Sequence, residues 1–262
     1  MKLPDGNGQL SLVALFGEKK EQYPELWNLL EGLQCSIEAC LGKENFSRYE
    51  ESQVHGTIVG LEGDRDGVCV WNRNCYEILR MRCPMKVADL LDFVLDDDNP
   101  VLPVTIQIGG FQENASYTFT SRGLSPYIRS FSIQGEIAVA MGWPVKDNSY
   151  TSDIDGLRRS FNQFNVLHKY HNSAKAYDND FFFVLGNVSR GLTAGMLSAC
   201  QHQMREILAR SQIPPLQITK HQLSIVAYPE GDTRLERAAV ATLEEAKMQI
   251  GELMAFYPSA GC

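Results

Sequence analysis

No stretch of this 262-residue chain holds the ~20 consecutive apolar residues that a membrane helix needs, so a helical membrane protein is not expected. The first apolar run follows a single lysine and is broken at Gly17, which makes a poor secretory signal. The seven cysteines are odd in number and include no C-x-x-C pair. A disulfide framework and a zinc site are therefore unexpected, and the compartment reads as reducing and cytoplasmic. Without a secretory signal, the Asn-x-Ser matches at Asn45, Asn114 and Asn187 read as chance. Positive charge is in deficit: 24 Lys and Arg stand against 32 Asp and Glu, for a formal net charge of -8. That balance disfavours a long nucleic acid but leaves open a small anion held by a few aimed donors. No Gly-Lys-Ser/Thr follows Gly60 or Gly63, so a phosphate-binding loop is absent there. There is no low-complexity segment and no flexible linker.

What is present is ordinary in bulk and unusual in pattern. Hydrophobic content of 44% and charged content of 21% suit a globular chain with a sizeable core. Two short stretches match. His55-Gly56-Thr57-Ile58-Val59 and Gln222-Leu223-Ser224-Ile225-Val226 each carry a small hydroxyl residue followed by Ile-Val in a strand-like run. Each comes after a strand-like segment and a helix-like one. In the first half these are 10–16 and 24–41, with Pro24 in the helix's first turn and Gly42 at its end. In the second half they are 181–188 and 191–210, and Pro214-Pro215 marks the turn before the motif strand. Duplication of a strand–helix–strand unit predicts two lobes facing each other across a cleft, within one domain spanning 1–262. The repeat units run over about 10–61 and 181–255. A β-rich block at about 101–145 has no counterpart and is an insertion or a connection. The patterning also predicts a short helix over 86–94 stopped by three aspartates, a helix over 153–170, and one long closing helix over 235–256. The Glu62–Gly67 stretch reads as a solvated turn.

The first motif carries chemistry. Residues i and i+2 of a strand share a face, so His55, Thr57 and Val59 are expected together. An imidazole moves a proton near neutral pH, and a hydroxyl holds an oxyanion or a phosphate oxygen. In the second motif, matching Ser224 to Thr57 puts Gln222 opposite His55 and His221 one residue off. Either a β-bulge near 222 turns His221 into the cleft, or a glutamine, which cannot exchange protons at neutral pH, stands where a second histidine would. Tyr228 falls on the face of Ser224, available for stacking, hydrogen bonding or core packing. Tyr127, Arg129 and Arg122 would contact phosphate or base if the β-rich block covers the cleft, and otherwise lie on the surface. Lys220 reads as a surface charge. His168 and His171 read as structural or solvated groups near a helix end, and His202 as exposed.

With its His-x-Thr-hydrophobic motif and repeated element order, the chain resembles the 2H phosphoesterase superfamily over both repeat units. That resemblance implies an α+β, bilobed, pseudo-symmetric fold and histidines acting as acid and base without a metal or cofactor. It further implies Thr57 and Ser224 as phosphate ligands, with His55 and His221 the catalytic pair if His221 enters the cleft. The implied substrates are cyclic phosphates, cyclic nucleotides or short RNA ends. A chain that kept the cleft but lost the second histidine would instead be a nucleotide- or protein-binding relative.

Overall fold

Residues 2–16, 21–230 and 238–259 are described by a computed structural model. In chain order the strands are β1 (Gly8–Leu15), β2 (Phe46–Arg48), β3 (His55–Gly60), β4 (Gly63–Asp66), β5 (Cys69–Asn72), β6 (Val104–Ile108), β7 (Phe131–Gln134), β8 (Ile137–Lys146), β9 (Ser149–Tyr150), β10 (Phe181–Val188), β11 (Leu216–Ile218), β12 (Leu223–Pro229) and β13 (Ala239–Thr242). The helices are α1 (Pro24–Leu41), α2 (Arg73–Leu79), α3 (Val87–Leu95), α4 (Pro126–Ser130), α5 (Asp153–Ser160), α6 (Ala194–Arg210), α7 (Leu243–Met248) and α8 (Ile250–Phe256).

The fold is α+β and its strand pairing is antiparallel. One sheet has the order β13-β12-β1-β3, and a second runs β11-β6-β8-β10-β2 with β7 and β9 also paired to β8. β4 and β5 form a separate hairpin, so the Glu62–Gly67 stretch is strand and turn where a turn alone was expected. The β-rich block supplies β6, β7 and most of β8, the middle of the second sheet.

Both strand–helix–strand units exist, but they do not make two facing lobes. The motif strands β3 and β12 lie in the same sheet, flanking β1 and antiparallel to it. β10, the opening strand of the second unit, belongs to the other sheet, where it pairs with β8 and with β2 from the first unit.

Alternation along β1 shows how this sheet divides the molecule. Leu10, Leu12 and Ala14 enter the main core, while Val13 joins a small apolar cluster with Val226 and Tyr228 on the opposite face. On the core side α1 buries Leu26, Leu30, Leu33 and Ile37, the stripe its 3.6-residue spacing foretold. α1 packs on α6, so the helices of the two units meet each other.

Two helix expectations fail for local reasons. The helix over 153–170 stops early: α5 gives way to a 3₁₀ turn at Phe161–Phe164, and Asn165 takes a left-handed conformation (φ 59°) that ends it. The long closing helix is β13 followed by α7 and α8, with a break at Gln249; residues 235–237 lie outside the described residues.

At the seam between the sheets β3 runs beside β10. Gly56 is required there, because a Cβ would enter the Phe181 ring. Arg158 closes the seam. Its guanidinium, nearly solvent-free, donates to Ile58 O (2.8 Å), Thr57 O (3.2 Å), Asp178 O (3.0 Å), Asp180 O (3.1 Å) and the Asp178 carboxylate (3.0 Å). A buried charge is tolerable only when paired and fully hydrogen-bonded, and Arg158 meets both conditions.

Candidate functional site

The face of the four-stranded sheet opposite the main core floors a cavity of about 180 Å³. β3 contributes His55, Thr57 and Gly60; β1 contributes Ser11 and Val13; β12 contributes Val226 and Tyr228. Glu62, Asn74, Arg158, His168, Lys169, Tyr170 and Phe182 form the walls and rim.

The expected His55–Thr57–Val59 face is only half right. Pairing shifts register between Leu12–Val59 and Val13–Thr57, leaving Ile58 as an extra residue in β3. Such a bulge reverses the side-chain phase beyond it. Val59 therefore enters the core, and Gly60 takes its place on the cavity face. The bulge is in the first motif strand, not near residue 222. The carbonyls of Thr57 and Ile58, beside it, are the ones that Arg158 satisfies.

His55 is held for proton chemistry. Its Nδ1 lies 2.7 Å from the carbonyl of Gln53. A carbonyl only accepts, so Nδ1 carries the proton and Nε2 keeps its lone pair. Burial pulls this imidazole below the usual histidine value, and the Gln53 bond opposes that only in part. His55 is therefore neutral at pH 7.

The second imidazole of the cavity is one that sequence reasoning set aside. His168 leaves the chain just past the 3₁₀ turn and is 5% exposed. Its Nε2 donates to the Asp178 carboxylate at 2.7 Å, and its Nδ1 is buried without a protein partner. Burial pushes His168 down to about 4, and the Arg158 charge adds to the effect against the pull of Asp178. Asp178 itself is held below the usual carboxylate range, because the His168 bond and Arg158 outweigh its burial. Next to this pair, His171 Nε2 donates to Asp155 at 2.9 Å. At the rim, Tyr170 lies with Arg122 at 4.4 Å and Lys169 at 4.9 Å from its ring centroid. Burial raises the Tyr170 phenol, but these two cations outweigh it and leave it below its usual value.

The second motif is elsewhere and does other work. Ser224 lies across Val13 from Thr57, two strands away, or about 10 Å at normal strand spacing. Val13 stands between the two hydroxyls. Ser224, Gln222 and His221 line a separate depression together with Lys220, Glu244 and Glu245. His221 is exposed on the 3₁₀ turn Lys220–Gln222 and does not meet His55. Gln222 is committed to structure: its Oε1 accepts from Thr219 N (3.1 Å) and Thr219 Oγ1 (2.6 Å), and its Nε2 donates to Tyr23 (3.3 Å).

That capping arrangement also corrects the alignment of the repeat. A matching 3₁₀ turn, Glu51–Gln53, precedes β3, and its Gln53 side chain accepts from Glu50 N in the same way. Superposing Gln53 on Gln222 pairs His55 with Ser224 and Thr57 with Val226. The second unit therefore has neither the imidazole nor the hydroxyl at the corresponding positions.

Tyr228 does reach the cavity, where its hydroxyl donates to Glu62 at 3.3 Å. Tyr127 and Arg129 do not. Tyr127 is buried and donates to Glu206 at 2.8 Å, while Arg129 pairs with Asp180, just ahead of β10, at 3.0 Å. His202 approaches Tyr127 at 3.4 Å, and Lys220 pairs with Asp97.

Sequence reasoning missed His168, Asp178, Arg158, Glu62 and Asn74. Only the H-x-x-H spacing of His168 and His171, with Asp155 and Asp178 on either side in sequence, carried a signal. Among the described residues no three His, Cys, Asp or Glu side chains gather as a metal set, and no helix is long and apolar enough to cross a membrane. No family model, curated protein or solved structure matches this chain.

Proposed function

We propose that this chain is a phosphoesterase-like protein that takes a small cyclic phosphate into the His55 cavity and opens it by imidazole acid–base chemistry. The observation that supports this most is the convergence of two neutral, tautomerically oriented histidines and a strand hydroxyl on one small cavity. In this reading Thr57 Oγ1 donates to a phosphate oxygen. His55 Nε2 takes a proton from water as the water oxygen bonds to phosphorus. The ester bond to the leaving oxygen breaks, and the minor protonated form of His168, which its lowered pKa permits on the acidic side, returns a proton to that oxygen. The product is a phosphate monoester. Lys169 at the rim favours entry of an anion into a chain of net charge -8. His168 takes the part that the resemblance gave to His221.

The test is hydrolysis of 2′,3′-cyclic nucleotides with EDTA present, across pH 4.5–8. Both imidazole pKa values are lowered, so a base–acid pair built from them should peak on the acidic side of pH 6.5. Loss of either proton carrier, in His55→Ala or His168→Ala, should cut turnover about 10²-fold or more. His221→Ala and Ser224→Ala should leave it within twofold. Turnover that survives His55→Ala, or that falls with His221→Ala, refutes the reading. A second reading is favoured by the Ser224 and Val226 substitutions in the repeat: a protein that binds the phosphate without cleaving it. Binding that His55→Ala weakens, with no turnover at any pH, selects it.

A further inference from the structure

We propose that the far end of the cavity is a recognition subsite for a guanine-type edge, with Glu62 as the residue that reads it. This rests on the phosphate reading of the His55–Thr57 end. Ser11 and Gly60 pair with each other in the sheet, two β1 residues beyond the Val13–Thr57 row, or about 7 Å along the floor. Gly60 lacks a side chain, and the Glu62 carboxylate folds back into the space a Cβ would occupy. No ion pair among the described residues uses that carboxylate. One of its oxygens accepts the 3.3 Å bond from Tyr228, which leaves acceptor capacity facing the cavity. Asn74 donates one amide N–H to Leu167 O at 3.1 Å, which orients the amide and leaves its carbonyl oxygen and its second N–H to a ligand. The floor beside them is largely apolar, with Val13 in the Thr57 row and Val226 in the Ser11–Gly60 row, Ser11 adds one hydroxyl, and Phe182 also lines the cavity.

The cavity is therefore polarised. One end offers the Thr57 hydroxyl to an anion. The other offers a carboxylate and an amide oxygen, which repel a second phosphate and require N–H donors. A flat ring lying on the valines and presenting two adjacent N–H donors satisfies this end, and guanine carries such a pair at N1 and N2. Adenine offers one amino group beside an acceptor, and uracil offers one N–H between two carbonyls.

Binding of nucleoside 3′-monophosphates, measured by calorimetry at pH 7, tests this separately from catalysis. Guanosine 3′-monophosphate should bind about tenfold or more tighter than the adenosine compound, with inosine between them. Glu62→Gln should abolish the preference while adenosine 3′-monophosphate still binds, which also shows that the variant folds. Gly60→Ala, which keeps the charge but displaces the carboxylate, should shrink the preference. Equal binding of all bases, or a preference that persists in Glu62→Gln, overturns the subsite. Cyclic phosphate turnover with no base preference does the same but leaves the proposed function standing. A Glu62-dependent preference without turnover keeps the subsite and removes the hydrolysis. No binding of any of the three overturns both.

Discussion

Acid should unfold this protein through His168 before its carboxylates titrate. The imidazole is 5% exposed, and its folded pKa of about 4 lies below the 6.5 it takes in an unfolded chain. Between those values the unfolded state binds a proton that the native state refuses, so stability falls as pH falls. The full gap of about 2.5 units corresponds to about 3 kcal/mol, of which about 2 kcal/mol is lost between pH 7 and pH 5. Asp178 and Asp155 are held below the usual carboxylate range and stay ionised in that window, so they do not confuse it. His55 and His171 are lowered too and add in the same direction, which is why the comparison must be with a variant at one position. In His168→Gln the side-chain amide nitrogen can still donate to Asp178 but nothing titrates. Urea unfolding at pH 7, 6 and 5 should show the native protein losing about 2 kcal/mol more than His168→Gln over that range. Parallel losses in the two proteins would refute the argument that His168 is buried as a neutral base.

Two further outcomes follow from the seam between the sheets. Arg158→Met removes the guanidinium donors to the Thr57, Ile58, Asp178 and Asp180 carbonyls and leaves the Asp178 carboxylate without its cationic partner; it should destabilise by about 3–5 kcal/mol in urea unfolding, and a loss under 1 kcal/mol would show that the network is dispensable. Gly56→Ala drives a methyl into the Phe181 ring and should cost about 1–3 kcal/mol by thermal unfolding, whereas an unchanged melting temperature would mean that β3 and β10 are not in close contact.

The elements legible in the sequence were those whose pattern is local. β10 and α1 fall within the residues that a short apolar run and 3.6-residue spacing marked, because a local pattern needs no distant partner to be recognised. The helix over 153–170 was overextended because its apolar spacing runs past Asn165, where a single left-handed residue ends the helix and turns Val166–His168 inward. The bulge at Ile58 was invisible for a different reason: it exists only as a mismatch between β3 and β1, a relation between two segments. The same is true of the repeat. Matching letters aligned Ser224 with Thr57, while the capping of Gln53 and Gln222 aligns Ser224 with His55.

By itself, the sequence determined that His55 and Thr57 share a strand face, because a two-residue period is a property of any extended chain. It also determined the helices and strands that carry the two units. Which groups join His55 was decided only in three dimensions. His168 becomes a neutral imidazole because burial and the Arg158 charge outweigh the pull of Asp178, and both residues reach it from ten positions away along the chain. Glu62 enters the cavity because Gly60 leaves room for it. His221 stays outside because Gln222 is tied to Thr219. Each of these depends on burial and on partners distant along the chain, and such pairings exist only once the sheets have closed.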